Sequence, residues 1–259
     1  MNTMLKTLEI PGYGPYVCGR KQSELGRFGL RWAVPRFIPP RAKATRGANP
    51  YASSNVNSIR AAAKSMHPIY AAVENILGND RYGNCTACAA IKIQAIFDCA
   101  ATGEWRPPTL DDTLWLYSQT TVPPFNPATG ANDNGTELQA VLYFWASHGL
   151  YKDGHGKIKS VAAVNAKNKD EVISALNVNG VLYAGCLLPR AWEDIKGTGF
   201  TWGMDGPPDP QAGHCTYIYG HNETGVFDGS WGMEGTIPWD ALAYYFGGPT
   251  GELYTVVAA

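Results

Sequence analysis

The segment from Asn84 to Gly103 limits what this chain can become more than any other part of it. Asn84 can cap a helix whose first residue is Cys85, and Gly103 can close that helix in the left-handed conformation. From Thr86 to Ala101, after the first turn, only Lys92, Gln94 and Asp98 are strongly polar. A helix that is apolar on nearly every side has no stable place on a surface, so it is expected at the centre of the fold. A cysteine therefore opens a central helix. There, unpaired backbone N–H groups and the positive end of the helix dipole favour the thiolate.

A second helix is announced by Thr136 and Gln139 at capping-box spacing, with Leu138, Val141, Leu142 and Trp145 on one stripe and Gly149 as terminator. A third is expected over 169–176, closed by Asn179-Gly180. Strand-like runs follow at 181–188, 215–219, 226–228 and 253–257. Helices first and antiparallel strands later make an α+β layout. The 29 glycines and 18 prolines agree with a loop-rich fold of that kind rather than a helical bundle.

With 45% hydrophobic and 17% charged residues, the 259-residue chain can bury a substantial core. No run approaches the roughly 18 consecutive apolar residues of a membrane span, and the first ten residues lack the apolar core of a signal peptide. A soluble, unexported protein, cytoplasmic or virion-associated, is expected, with its six cysteines mostly reduced. The net charge of −1 conceals an asymmetry: residues 1–64 hold eleven bases and two acids, +9, which leaves −10 for the rest. Residues 1–69 thus read as a basic arm rich in Pro, Gly and aromatics, and 70–259 as the folded domain. Zinc-finger, helix-turn-helix and RNP patterns are missing from the arm, so docking on a protein surface is expected ahead of nucleic-acid binding.

Two segments carry chemistry. In Gly78-Asn-Asp-Arg-Tyr-Gly-Asn-Cys85-Thr-Ala-Cys88, the Cys85 thiol starts the central helix, its own N–H is available to an oxyanion, and Asn79 can supply a second donor. In Gly213-His214-Cys-Thr-Tyr-Ile-Tyr-Gly220, a histidine opens a strand that turns at 221–225 and returns through Asp228-Gly-Ser-Trp-Gly232. Opposite residues of an antiparallel hairpin share a face. With an even pairing sum, His214 meets Ser230 and shares its face with Asp228; with an odd one, Gly229 takes that place. Cys85-Thr-Ala-Cys88 also has the spacing of a redox pair, but Cys88 is expected in the core. A zinc site from Cys85, Cys88, His214 and Cys215 lacks a second Cys-x-x-Cys or a His pair.

In order and flavour these segments resemble the papain-like cysteine peptidase superfamily, over roughly residues 70–259. Cys85 stands at the helix-borne nucleophile, Gly213-His214 at the strand-opening histidine and Ser230-Trp231-Gly232 at the string after the hairpin. The Gly-Asn-Asp-x-x-Gly-Asn-Cys-Thr string is similar to a divergent group found in bacteriophages and bacteria. Three positions depart from the pattern: Asn79 stands for Gln, Asp228-Gly229 for a single Asn, and Thr86 for Trp. The resemblance implies an α+β papain-like fold, a helical half led by Cys85 packed on a C-terminal antiparallel β half. It also implies a thiol hydrolase of peptide or isopeptide bonds that needs no metal or organic cofactor. Cys85 would be its nucleophile, His214 its base, Asp228 the orienting group and Asn79 an oxyanion donor. The alternative is a catalytically degenerate papain-like module, such as a phage virion component whose basic arm docks on neighbouring subunits or DNA.

Overall fold

The structure, a computed structural model, describes residues 75–259 apart from Lys196, together with Ala72, Glu74 and two short strands. Those strands, β1 (Thr7–Glu9) and β2 (Pro15–Val17), pair antiparallel. Beyond them, the expectations for the basic arm fall outside the described residues.

The domain is built on a seven-stranded sheet in the order β3-β9-β4-β6-β7-β8-β5. Its strands are β3 (Ile158–Ala163), β4 (Leu182–Pro189), β5 (Phe200–Thr201), β6 (Pro208–His221), β7 (Gly225–Ser230), β8 (Met233–Pro238) and β9 (Glu252–Ala258). All neighbours run antiparallel except β5 and β8. β4 is buried along its whole length, as its unbroken apolar run requires, and it sits between β9 and β6.

Alternate residues of the central strands enter two different cores, because side chains on a strand point to opposite faces with a period of two. Leu182, Ala184 and Ile218 pack with α4 (Lys169–Asn179) and a tryptophan cluster. Tyr183, Cys215 and Tyr217 pack on the other face, against α1 (Cys85–Thr102), α2 (Leu110–Thr120) and α3 (Leu138–Ser147). The α+β expectation is correct: helices cover the sheet while the sheet itself is largely antiparallel.

α1 is the expected central helix, and Gly103 ends it in the left-handed region at φ 76°. It is the one described helix long and apolar enough to cross a membrane, and 72% of it is buried inside the protein. Its polar residues are accommodated individually. Gln94 accepts from the Trp145 indole at 2.8 Å and donates to Asp98 at 2.7 Å, while the Tyr183 hydroxyl donates to the Thr86 carbonyl at 3.0 Å and ties the helix start to the sheet.

Two expected caps take other partners. Asn84 occupies the N-cap position, yet its amide donates to the Leu77 carbonyl at 3.0 Å and makes no cap bond. Thr136 donates to the Thr120 carbonyl, so α3 begins only at Leu138 and no capping box forms. Its apolar stripe is nevertheless buried as expected, at Leu138, Val141, Leu142 and Trp145.

Candidate active site

The turn before Cys85 is fixed from two sides. Arg81 and Tyr82 donate their N–H groups to the Gly78 carbonyl at 2.9 and 3.0 Å, folding 78–82 into a tight loop. Gly78 has φ 78°, and a Cβ there would lie 2.7 Å from Leu110, so the position requires glycine. From the other side, Asp133 Oδ1 accepts from Gly83 N–H at 2.9 Å and from the Tyr117 hydroxyl at 2.7 Å. Tyr117 in turn accepts from Gly135 N–H at 2.8 Å. Burial pushes the Asp133 carboxyl above its ordinary range, against the downward pull of these bonds. Replacing Asp133 by Ala strands two donors at once, at about 1–3 kcal/mol each for a buried group. Asp133→Ala is therefore expected to lower the urea midpoint and loosen the turn at Cys85; an unchanged midpoint would show that this network does not hold it.

Cys85 is 1% exposed and occupies the first turn of α1, which carries no acidic residue to oppose a thiolate. It lines a small cavity with Asn79, Lys92, Tyr217, Ser230 and Trp231, which at about 10 Å³ is at the lower limit for holding one water molecule. Asn79 is buried, and its amide donates to the Tyr82 carbonyl at 3.2 Å.

Ser230 and Trp231 tie this cavity to the histidine. His214 Nε2 lies 2.6 Å from Ser230 Oγ, and the Trp231 ring stacks on the imidazole at 4.0 Å with a 24° tilt. Trp231 adopts φ 49° and Gly232 φ 77°, a sharp reversal between β7 and β8 that turns the indole onto His214. Trp202 stands edge-on to the same imidazole at 6.3 Å and stacks on Trp192 at 4.7 Å, so aromatic faces enclose the histidine.

On the His214 side of a bulge between Ile218 and Gly220 the hairpin has the even parity, Ile218 pairing with Asp228 and Tyr217 with Gly229, whereas next to the turn it is odd, with Gly220 opposite Phe227. Ser230 and Asp228 therefore share a face with His214, but they have different partners. Ser230 makes the bond to the imidazole, whereas Asp228 Oδ1 is bonded to Thr216 Oγ1 at 2.7 Å. The orienting contact expected of Asp228 thus belongs to Ser230, two residues on, because that residue lies diagonally opposite the histidine at the end of the strand.

Gly229 stands where the family pattern has a carboxamide. A Cβ at 229 would lie 2.6 Å from Tyr217 Cζ and 2.7 Å from its hydroxyl, so the Tyr217 ring fills the space that such a side chain needs. Cys88 is buried with its thiol toward the Leu77 carbonyl at 3.6 Å, and burial pushes its pKa far above the usual thiol range. That is the opposite of what thiol exchange requires. Lys92 and Tyr217 escape a motif search, although a lone lysine seven residues after Cys85 on an apolar helix is the available signal for the first of them.

No protein-family model matches the sequence, and no curated protein is significantly similar to it. Solved structures are similar in fold. Procathepsin B from Trypanosoma congolense has a TM-score of 0.57 at 8% identity, over 93% of this chain and 86% of that one. Xylellain, a cysteine protease from Xylella fastidiosa, has a TM-score of 0.52 at 15% identity, over 69% and 80%. The fold is papain-like. The proform of Amb a 11, a cysteine protease and ragweed pollen allergen, adds a TM-score of 0.50 at 15% identity, over 82% and 77%. In papain-like terms, α1 leads the helical half and β6–β7 carry the histidine half.

Proposed function

We propose that this chain is a thiol hydrolase acting on peptide or isopeptide bonds, with Cys85 as nucleophile and His214 as base. The observation that carries this reading is the cavity itself: Cys85, at the start of a buried helix, shares it with Ser230 and Trp231, the two residues that hold the His214 imidazole. In the tautomer that donates its Nε2 proton to Ser230, Nδ1 is the basic nitrogen. It takes the Cys85 proton as sulfur attacks the substrate carbonyl. The resulting oxyanion is met by the Cys85 N–H and the Asn79 side-chain amide. Collapse expels the amine, protonated by His214, and leaves a thioester; water, deprotonated by His214, then hydrolyses it and regenerates the thiol.

The near-complete burial of Cys85 favours a second reading, a non-catalytic papain-like module whose basic arm docks on neighbouring subunits. Alkylation by iodoacetamide across the neutral range separates the two. Labelling that is rapid near neutral pH, vanishes in Cys85→Ala, persists in Cys88→Ala and slows about 100-fold or more in His214→Ala supports the hydrolase. Slow labelling with an ordinary thiol pH profile, indifferent to His214→Ala, overturns it.

A further inference from the structure

Asp228 is a completely buried carboxyl that the reaction above does not use. Among the described residues its carboxyl hydrogen-bonds only to Thr216, and the geometry around that hydroxyl specifies a protonation state. Thr216 Oγ1 lies 2.7 Å from Asp228 Oδ1 and 2.7 Å from the Gly229 carbonyl oxygen. A threonine hydroxyl has one proton to donate, and a carbonyl oxygen only accepts. A carboxylate would also only accept, so one of these two close approaches would set oxygen against oxygen with no proton between them.

We propose that Asp228 is a positioning residue in its neutral acid form, with its proton on Oδ1 donated to Thr216, which donates in turn to the Gly229 carbonyl. The relay crosses from β7 to β6 and back, and it clamps the peptide directly before Ser230, the residue bonded to His214. Two further observations agree. Asp228 Oδ2 is buried without a hydrogen-bond partner among the described residues, tolerable for the carbonyl oxygen of an acid and costly for an ionised one. Asp228 also has no ion-pair partner among the described residues.

The titratable groups coupled electrostatically to Asp228 are Lys92 of α1 and Tyr217 of β6, both on the α1-covered side of the sheet, and Glu234 of β8 acts on the same phenol. Lys92 Nζ lies over the Tyr217 ring, 5.8 Å from its centroid, instead of on the carboxylate. Burial pushes the Asp228 pKa up to about 8, against the pull of Thr216 and Lys92.

The relay rests on the proposed Cys85–His214 pair only for its consequence, so two readouts test it separately. The first follows the side-chain carboxyl carbons of isotope-labelled aspartate by NMR through a pH titration. One resonance, absent in Asp228→Asn, is expected to hold the neutral-acid position through about pH 6.5, far above the ordinary carboxyl range. A carboxyl at 228 already ionised at that pH overturns the proposal, whatever the chain catalyses.

The second readout is the alkylation rate of Cys85. Asp228→Asn keeps a donor to Thr216 and is expected to retain most of the rate, while losing any decline above pH 8. Asp228→Ala and Thr216→Val break the relay and are expected to slow labelling about tenfold or more through misplacement of the Ser230–His214 contact. Equal damage from Asn and Ala, or no change in the Ala and Val variants, overturns the positioning role. Failure of wild-type labelling would sink the hydrolase reading and leave the carboxyl titration standing.

Discussion

Gly229→Asn is expected to destabilise the protein by about 3 kcal/mol, the upper end for overpacking, although it puts back the residue type that the papain-like pattern has at this place. The Asn Cβ alone would sit 2.6–2.8 Å from three Tyr217 atoms. Tyr217 is 1% exposed, with Lys92 Nζ over its ring and the Tyr219 ring centre 6.0 Å away, so moving the ring means displacing packed neighbours. Tyr217→Ala alone opens a cavity at about 3–5 kcal/mol. Together the two changes compensate, since the carboxamide enters the space that the ring vacates. Urea unfolding of both single variants and the double one should therefore give a favourable coupling of about 2 kcal/mol or more. Additive losses would mean that the ring and the missing side chain do not compete for one space.

This competition also marks where sequence reading stops. The central helix is legible because an 18-residue segment with so few polar side chains has only one physical solution, burial on every side. α4 and the long strands are legible for similar reasons, being bounded by Asn168 or Gly180 and by unbroken apolar runs. α2 escapes the pattern because only five of its residues are buried, although Thr109 and Asp112 spell its cap. β3, β5 and β8 escape it because they are short or partly exposed, and β5 pairs parallel to β8 after a long excursion in the chain. Cys85 and Asn79 can be picked out individually, because they stand at a helix start and in a turn; His214 does not open its strand as expected, since β6 begins at Pro208 and holds the histidine within it. Which residue of Asp228-Gly-Ser230 meets the imidazole cannot be picked out, since the answer depends on register. A shift of one residue would exchange both faces of β7.

Stability is expected to pass through a minimum near pH 8, and Asp228 and Lys92 set its two limbs from opposite directions. Burial raises the folded pKa of Asp228 from 3.8 to about 8. Between those values the unfolded chain has lost the proton that the folded chain keeps, so stability falls as pH rises and levels off above pH 8. Burial lowers Lys92 from 10.5 to about 8. Above pH 8 the folded chain sheds a proton that the unfolded chain retains until about 10.5, so this limb rises with pH. Each limb is expected to span about 2–3 kcal/mol, given roughly 1.4 kcal/mol for every tenfold change in proton affinity and some relaxation around buried charges. Cys88 and the buried tyrosines oppose the rise at high pH, because burial raises the folded pKa of all of them. The comparison that isolates each group is therefore between variants at matched pH. Lys92→Met should raise the urea midpoint at and below pH 8 and remove the rising limb. Asp228→Asn should remove the falling limb and leave the rising one. If Asp228→Asn instead lowered stability at pH 7, the carboxyl would be ionised there and compensating Lys92; the two groups would then be a buried ion pair, and the relay through Thr216 would have to be abandoned.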